Sequence, residues 1–270
     1  MSAAKVLYIC QEITPYLPEN EISGICRRMP QAIQEKGCEI RTFMPKFGCI
    51  NERRNQLHEV IRLSGMNIII DDNDHPLIIK VASIQSARMQ VYFIDNDDFF
   101  HRRFTVADAE GKEFPDNGER SIFYARGVIE TVRKLRWIPD VIHCHGWMSA
   151  FVPLYLKKAF ADDPYFKNAK IVYSLYHDDF KQFFKQDLNN KVLIDELQAA
   201  DFALLGKKPG YLSMMKLAVQ YSDGIILCSD QLNRNLLSFV NKLDKPVITS
   251  SEENDYQNYY DFYQTLTELK

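Results

Sequence analysis

Two periods of apolar residues run along this chain, one of two and one near 3.6, and their succession predicts alternating strands and helices. Lys5 to Cys10 is a continuous apolar run of strand length. A loop carrying Pro15 and Pro18 follows, and then a helical pattern extends from Ile22 to Lys36 and stops at Gly37. Glu39 to Met44 is the next strand, closed by Pro45. A strand, a helix and a second strand in this order form the unit that builds a parallel sheet. The pattern then shortens. Leu57 to Leu63, Met66 to Ile70, Leu77 to Ile84 and Met89 to Asp95 read as strands separated by Gly65, the cluster Asp71-Asp72-Asn73-Asp74 and Ser86. This is a β-rich insertion at about residues 55–95, with its last strand returning to the main sheet.

Downstream, Asn117 to Leu135 is a long amphipathic helix with Ile122, Phe123, Ala125, Val128, Ile129 and Val132 on its apolar face. Asp140 to His145 is a strand, Trp147 to Phe160 a helix, and Ala169 to Tyr176 a strand. Val192 to Leu197 and Leu212 to Ser222 read as helical. Gly224 to Ser229 is a further strand, Gln231 to Phe239 a helix, and Pro246 to Thr249 a short final strand. Glu252 to Lys270, rich in Tyr and Leu, reads as an aromatic helix that needs a surface to pack on. The predicted fold is α/β: a Rossmann-like parallel sheet with helices on both faces and a β-rich insertion. It divides into one domain over 1–251 and a C-terminal helix over 252–270 that packs back on it.

Composition adds mainly exclusions. The chain has 270 residues, 46% of them hydrophobic and 26% charged, which is ordinary for a globular domain. A net charge of −3 provides no electrostatic basis for binding nucleic acid or an anionic membrane. The apolar runs are too short to span a bilayer, and the N-terminus carries no leader pattern, so a cytoplasmic location is expected. The six cysteines include no Cys-x-x-Cys pair and are expected as free thiols.

Chemistry concentrates at the end of one strand. Asp140-Val141-Ile142-His143-Cys144-His145-Gly146-Trp147 releases two imidazoles and an indole where open parallel sheets bind ligands. Alternation places His143 and His145 on one face. A structural zinc site needs four ligands and none with suitable spacing is near, so no metal is expected. The bland reading is a hydrogen-bonded pair of histidines. His177-Asp178-Asp179 reads either as an acid/base group or as the N-cap of a following helix. Asp71 to Asp74 reads as a hairpin turn, since EF-hand spacing is absent.

Several stretches taken in order resemble bacterial glycogen and starch synthases. They are Glu12-Ile13 with Pro15-Tyr16, Met29-Pro30-Gln31-Ala32-Ile33 through Gly37, and Met44-Pro45-Lys46-Phe47-Gly48. Asn117-Gly118-Glu119-Arg120 with Phe123-Tyr124 follows, then Trp137-x-Pro-Asp-x-x-His-x-His-x-Trp and Pro153 to Leu156. The resemblance runs from residue 5 to about 240. It implies one half of a GT-B glucosyltransferase, the N-terminal catalytic domain, with ADP-glucose and glucan as ligands and no further cofactor.

By that resemblance Glu12, Tyr16, Gly24, His145, Gly146, Trp147 and Tyr176 are the candidate substrate-binding residues. His143, His145 and His177 are candidate vestigial catalytic groups. The chain departs from the family pattern at instructive places. The Lys-Thr-Gly-Gly-Leu-Gly-Asp loop aligns with Pro18-Glu19-Asn20-Glu21-Ile22-Ser23-Gly24, which lacks the lysine and adds carboxylates that repel a diphosphate. The Asp of His-x-His-Asp-Trp is Gly146, and the His-Asn pair after the next strand is Tyr176-His177.

The expected function is a glycogen/starch-synthase-like protein with a degenerate active site and no independent transferase activity. Such a protein would act in glucan binding or in regulating a full-length synthase. Two alternatives stand beside it. One is an active subunit completed by a partner or by homo-oligomerisation; the other is a protein-interaction module.

Overall fold

The computed structural model describes residues 3–185, 187–194, 196–251 and 256–267. Ten strands form the framework: β1 (Lys5–Cys10), β2 (Glu39–Pro45), β3 (His58–Glu59), β4 (Met66–Ile70), β5 (Asn73–Ile84), β6 (Met89–Asp95), β7 (Val141–His145), β8 (Lys170–Leu175), β9 (Gly224–Leu227) and β10 (Val247–Thr249). The helices are α1 (Glu21–Glu35), α2 (Asp97–Phe100), α3 (Asn117–Leu135), α4 (Val152–Lys157), α5 (Leu188–Val192), α6 (Tyr211–Gln220), α7 (Arg234–Val240) and α8 (Gln257–Thr267). The sheet order is β10-β9-β8-β7-β1-β2-β6-β5-β3, with β4 paired to β5 off this path. β5 runs antiparallel to β3, β4 and β6, whereas β10, β9, β8, β7, β1, β2 and β6 are mutually parallel.

Local chemistry explains the elements. Asn20 caps α1: its Oδ1 accepts from the Ser23 N–H at 2.8 Å, and Ser23 Oγ accepts from the Asn20 N–H at 2.8 Å. Gly37 ends the helix with φ of 95°. Asp71 and Asp72 form the β4–β5 hairpin turn with φ of 52° and 60°, as a tight right-twisted hairpin requires.

Three expectations change. Leu57 to Leu63 contributes only His58–Glu59 as strand, because the chain turns at Val60 to Ser64. Trp147 to Phe160 is not one helix: a 3-10 turn covers Trp147–Ser149, and α4 restarts with Pro153 in its first turn. Helical structure near Val192 ends at that residue, in α5, and resumes as a 3-10 turn over Ala199–Leu205, with residue 195 of the expected helix outside the described residues. Residues 252–255 and 268–270 of the expected terminal helix lie outside the described residues.

Topology dictates which helices cover which face. Right-handed crossovers place the connecting helix according to the direction of travel across the sheet. The steps β6 to β7, β7 to β8, β8 to β9 and β9 to β10 all run one way, so α3, α4, α6 and α7 share a face. Only β1 to β2 runs back through a helix, which places α1 alone on the other face, against β1 and β2. The part of that face formed by β7, β8 and β9 has no crossover helix. α8 lies there, with Tyr259, Phe262 and Tyr263 buried. Gly224 on β9 makes room for it: a Cβ at that position would lie 2.7 Å from the Phe262 ring and 2.8 Å from Leu266.

Candidate functional site

The direction of travel reverses at β1, so the topological switch point lies between β1 and β7. The crevice outside the carboxyl ends of these strands is where an open α/β sheet takes its ligand. The loops after β1, β7 and β8 meet there, and the chain's own side chains fill the space.

Gln11 is the central filler. It is buried, its N–H donates to the His145 carbonyl at 3.0 Å, and its Oε1 accepts from the Met148 N–H at 3.0 Å. Gly146 adopts φ of 78°, and a Cβ there would lie 2.7 Å from Gln11 Cβ and 2.8 Å from Gln11 Oε1. Any side chain at 146, a carboxylate included, would have to evict Gln11 and accept a strained backbone. The Asp178 carboxyl lies beside Gln11 and Trp147, which favour its charged form, and its Oδ2 has no hydrogen-bond partner among the described residues. Burial, followed by the charge of Glu12, nonetheless pushes the Asp178 pKa up to about 7. Asp178 caps no helix, contrary to one sequence expectation, since residues 178–185 are irregular.

The histidines lie beneath this closed crevice. His143 and His145 are both fully buried, and their ring centroids are 3.9 Å apart. His143 Nδ1 is 2.6 Å from the Tyr263 hydroxyl of α8, and its Nε2 is 2.8 Å from Ser174 Oγ. A neutral imidazole, one nitrogen donating and one accepting, satisfies both contacts. His145 Nδ1 is 2.7 Å from the Tyr176 hydroxyl, and its Nε2 has no partner among the described residues. Burial depresses both pKa values, that of His145 to about 3, and the neighbouring imidazole lowers His143 further. Both rings are therefore uncharged at neutral pH.

His177 does not join them. It is exposed and donates from Nδ1 to the Gln231 carbonyl at 3.0 Å. Tyr176 is buried, its hydroxyl on His145. Trp147 is buried edge-on to Phe180 at 4.9 Å, and Tyr16 edge-on to Phe93 at 4.9 Å. Glu12 Oε2 accepts from Asn20 Nδ2 at 2.5 Å, tying the loop after β1 to the cap of α1. Near Gly24 the Arg28 guanidinium would lie 3.1 Å from an added Cβ, and Arg28 already pairs with Glu19 at 2.8 Å. The cap of α1 is thus supplied by the chain itself.

Among the described residues, no group of three or more His, Cys, Asp or Glu is placed to hold a metal ion. No helix among them is long and apolar enough to cross a membrane. The cysteines are free, with Cys10, Cys26, Cys38 and Cys144 buried. Gln11, Ser174 and Tyr263 were absent from the sequence-derived candidates. Alternation on β8 places Ser174 beside His143, but nothing in the spacing marks Gln11 or Tyr263.

Known proteins share this architecture. The family model described as "Starch synthase catalytic domain" matches residues 5–246. The glycogen synthase of Chlorobaculum tepidum is 33% identical over 234 residues, covering 86% of this chain and 47% of the relative. That of Chlorobium luteolum is 37% identical over 179 residues, covering 66% and 36%. The chain spans about half the length, or less, of the curated relatives it matches. Among solved structures, the catalytic domain of starch synthase IV from Arabidopsis thaliana, bound to ADP and acarbose, superposes with a TM-score of 0.74 at 18% identity. That match covers 92% of this chain and 51% of that one, and it shows a shared fold.

Proposed function

Because this chain belongs to the starch synthase catalytic-domain family, with a fold equal to one half of a GT-B enzyme, we propose that it is a glycogen/starch-synthase-like module without transferase activity of its own, acting in glucan binding or in the regulation of a full-length synthase. One observation carries the reading. The crevice at the β1–β7 switch point is occupied by Gln11, sealed above Gly146 and flanked by Tyr176. Glucosyl transfer needs a positioned, charge-stabilised diphosphate leaving group. Here the α1 N-terminus is capped by Asn20, and Glu19 engages Arg28. His143 and His145 are neutral, fully buried and hydrogen-bonded to the chain's own hydroxyls. They have no access to a sugar.

The match to about half of each relative favours a second reading. In it, further polypeptide, from a partner or a second copy, completes an active subunit that uses ADP-glucose.

Isothermal titration with maltooligosaccharides and with ADP-glucose, alongside a glucan-elongation assay, separates the two. The first reading expects maltooligosaccharide binding or none, no ADP-glucose binding and no elongation. Elongation of maltooligosaccharide by the purified 270-residue chain would overturn it.

A further inference from the structure

A second concavity borders the filled crevice, on the carboxyl-end shoulder of β8 and β9, with Phe180 of its lining packed on Trp147. Its volume is 420 Å³, within the range of small-ligand sites at roughly 300–1,000 Å³. One wall is the loop after β8, which presents Lys181 and Phe183. The other is the segment that enters α6, with Lys208 and Gly210, and Lys216 stands one turn into that helix. The walls are joined at their base, where the Phe184 N–H donates to the Pro209 carbonyl at 2.8 Å. The loop is held from behind as well: Glu113 accepts from the N–H groups of Lys181 and Gln182, each at 2.9 Å. The groove is thus a braced surface.

Its chemistry is one-sided. Three lysines line it against a single carboxylate, Asp179. The ammonium groups of Lys181 and Lys208 make no hydrogen bond or ion pair among the described residues, and Lys216 Nζ sits 5.5 Å above the Phe239 ring. The Phe183 ring is 67% exposed, unusual for phenylalanine, and it leans over Gly210, whose absent Cβ would lie 2.8 Å from it. Gly210 also leaves the ten-residue α6 without a side-chain cap. Cations on flexible stems beside an open helix start suit a phosphate, and a bare aromatic face suits a stacked ring.

We propose that this groove binds an organic phosphomonoester, with the phosphate among Lys181, Lys208 and Lys216 and the ring of the ligand on Phe183. The inference does not depend on whether the chain transfers glucose. A nucleoside monophosphate and a sugar phosphate share the required chemistry, and the test tells them apart. Titration calorimetry of the whole chain would use AMP, ribose 5-phosphate and orthophosphate as probes. Saturable binding of AMP or ribose 5-phosphate, tighter than orthophosphate, is expected, and the tighter of the two names the source. Lys208→Glu and Lys216→Glu should each weaken it about tenfold or more. Phe183→Ala should bring the organic ligand down to the affinity of orthophosphate. These side chains are exposed or half-buried, and circular dichroism would confirm that the variants stay folded. The inference is overturned if neither organic probe saturates below roughly 10 mM. It is equally overturned if the lysine variants bind unchanged, or if orthophosphate binds as tightly as both.

Discussion

The same strands build both faces of the central sheet, yet the faces are chemically unlike. Toward α3, α4 and α6 the strands present mainly apolar side chains, Leu7, Ile9, Ile142, Cys144, Ile171 and Leu175, with one hydroxyl, that of Tyr173, donating to the Gly146 carbonyl at 2.9 Å. Toward α1 and α8 they present Tyr8, Cys10, His143, His145, Ser174 and Tyr176. A mainly apolar face accepts many covers of suitable shape, because burial of apolar area has no direction. A face of hydroxyls and imidazoles favours a cover that returns its hydrogen bonds, since each buried group left unmet, as His145 Nε2 is, costs about 1–3 kcal/mol. Tyr263 of α8 answers His143, and Tyr259 reaches Ser250 Oγ at 2.5 Å and Cys228 Sγ at 3.9 Å. Shape holds one face together and matched polar partners hold the other.

Removing the polar cover should have the largest effect. Ending the chain after Ser251 deletes the buried Tyr259, Phe262 and Tyr263, each contributing about 1.5–3 kcal/mol, and leaves the His143 contact open. A urea midpoint lowered by the equivalent of at least about 5 kcal/mol is expected, with new binding of a hydrophobic dye. An unchanged midpoint would break the comparison at once. Next is a purely apolar loss on the opposite face: Ile142→Ala should cost about 2–5 kcal/mol through its cavity, whatever the pH. Tyr263→Phe should cost less, about 1–3 kcal/mol, for almost no change in volume. Adding His143→Leu to that variant should recover part of the loss, because both partners are then apolar.

The gentlest probe is pH. His143 and His145 have folded pKa values below the ordinary 6.5, so the unfolded chain binds more protons between that value and about 3 for His145. Stability therefore rises with pH across this window and is lost on acidification, by at most about 1.4 kcal/mol per pH unit per group. Asp178, raised from 3.8 to about 7, has the opposite sign: its folded form holds the extra proton, and stability falls as pH rises through that interval. The two histidines should prevail. In a His143→Gln, His145→Gln variant, urea midpoints between pH 4 and 6.5 should reverse their slope. A slope that persists there would locate the titration elsewhere.

Much of the architecture was legible because periodicity records burial. The run Lys5 to Cys10, the α3 pattern and the strand ending at His145 all bury the residues that their spacing indicates. Alternation also placed His143 and His145 side by side. The closure of the crevice was not legible, because it depends on Gln11 folding back over Gly146, a contact between residues 135 positions apart with no repeat to announce it. The segment after Gly146 was misread for a related reason. Trp147–Ser149 satisfies its backbone through Gly146 and Gln11 and not through a continuous helix. The lysine groove draws on residues from Lys181 to Lys216 that only the tertiary structure assembles.

The position of α8 also bears on how the molecule comes into being. It is the last element in chain order among the described residues, and it covers strands synthesised long before it. As the polypeptide leaves the ribosome, the half-sheet from β7 to β9 must wait, wet and uncovered, until Tyr263 emerges. Assembly of the native sheet is thereby tied to the completion of translation through that point, and a stalled ribosome would hold a body with one open flank.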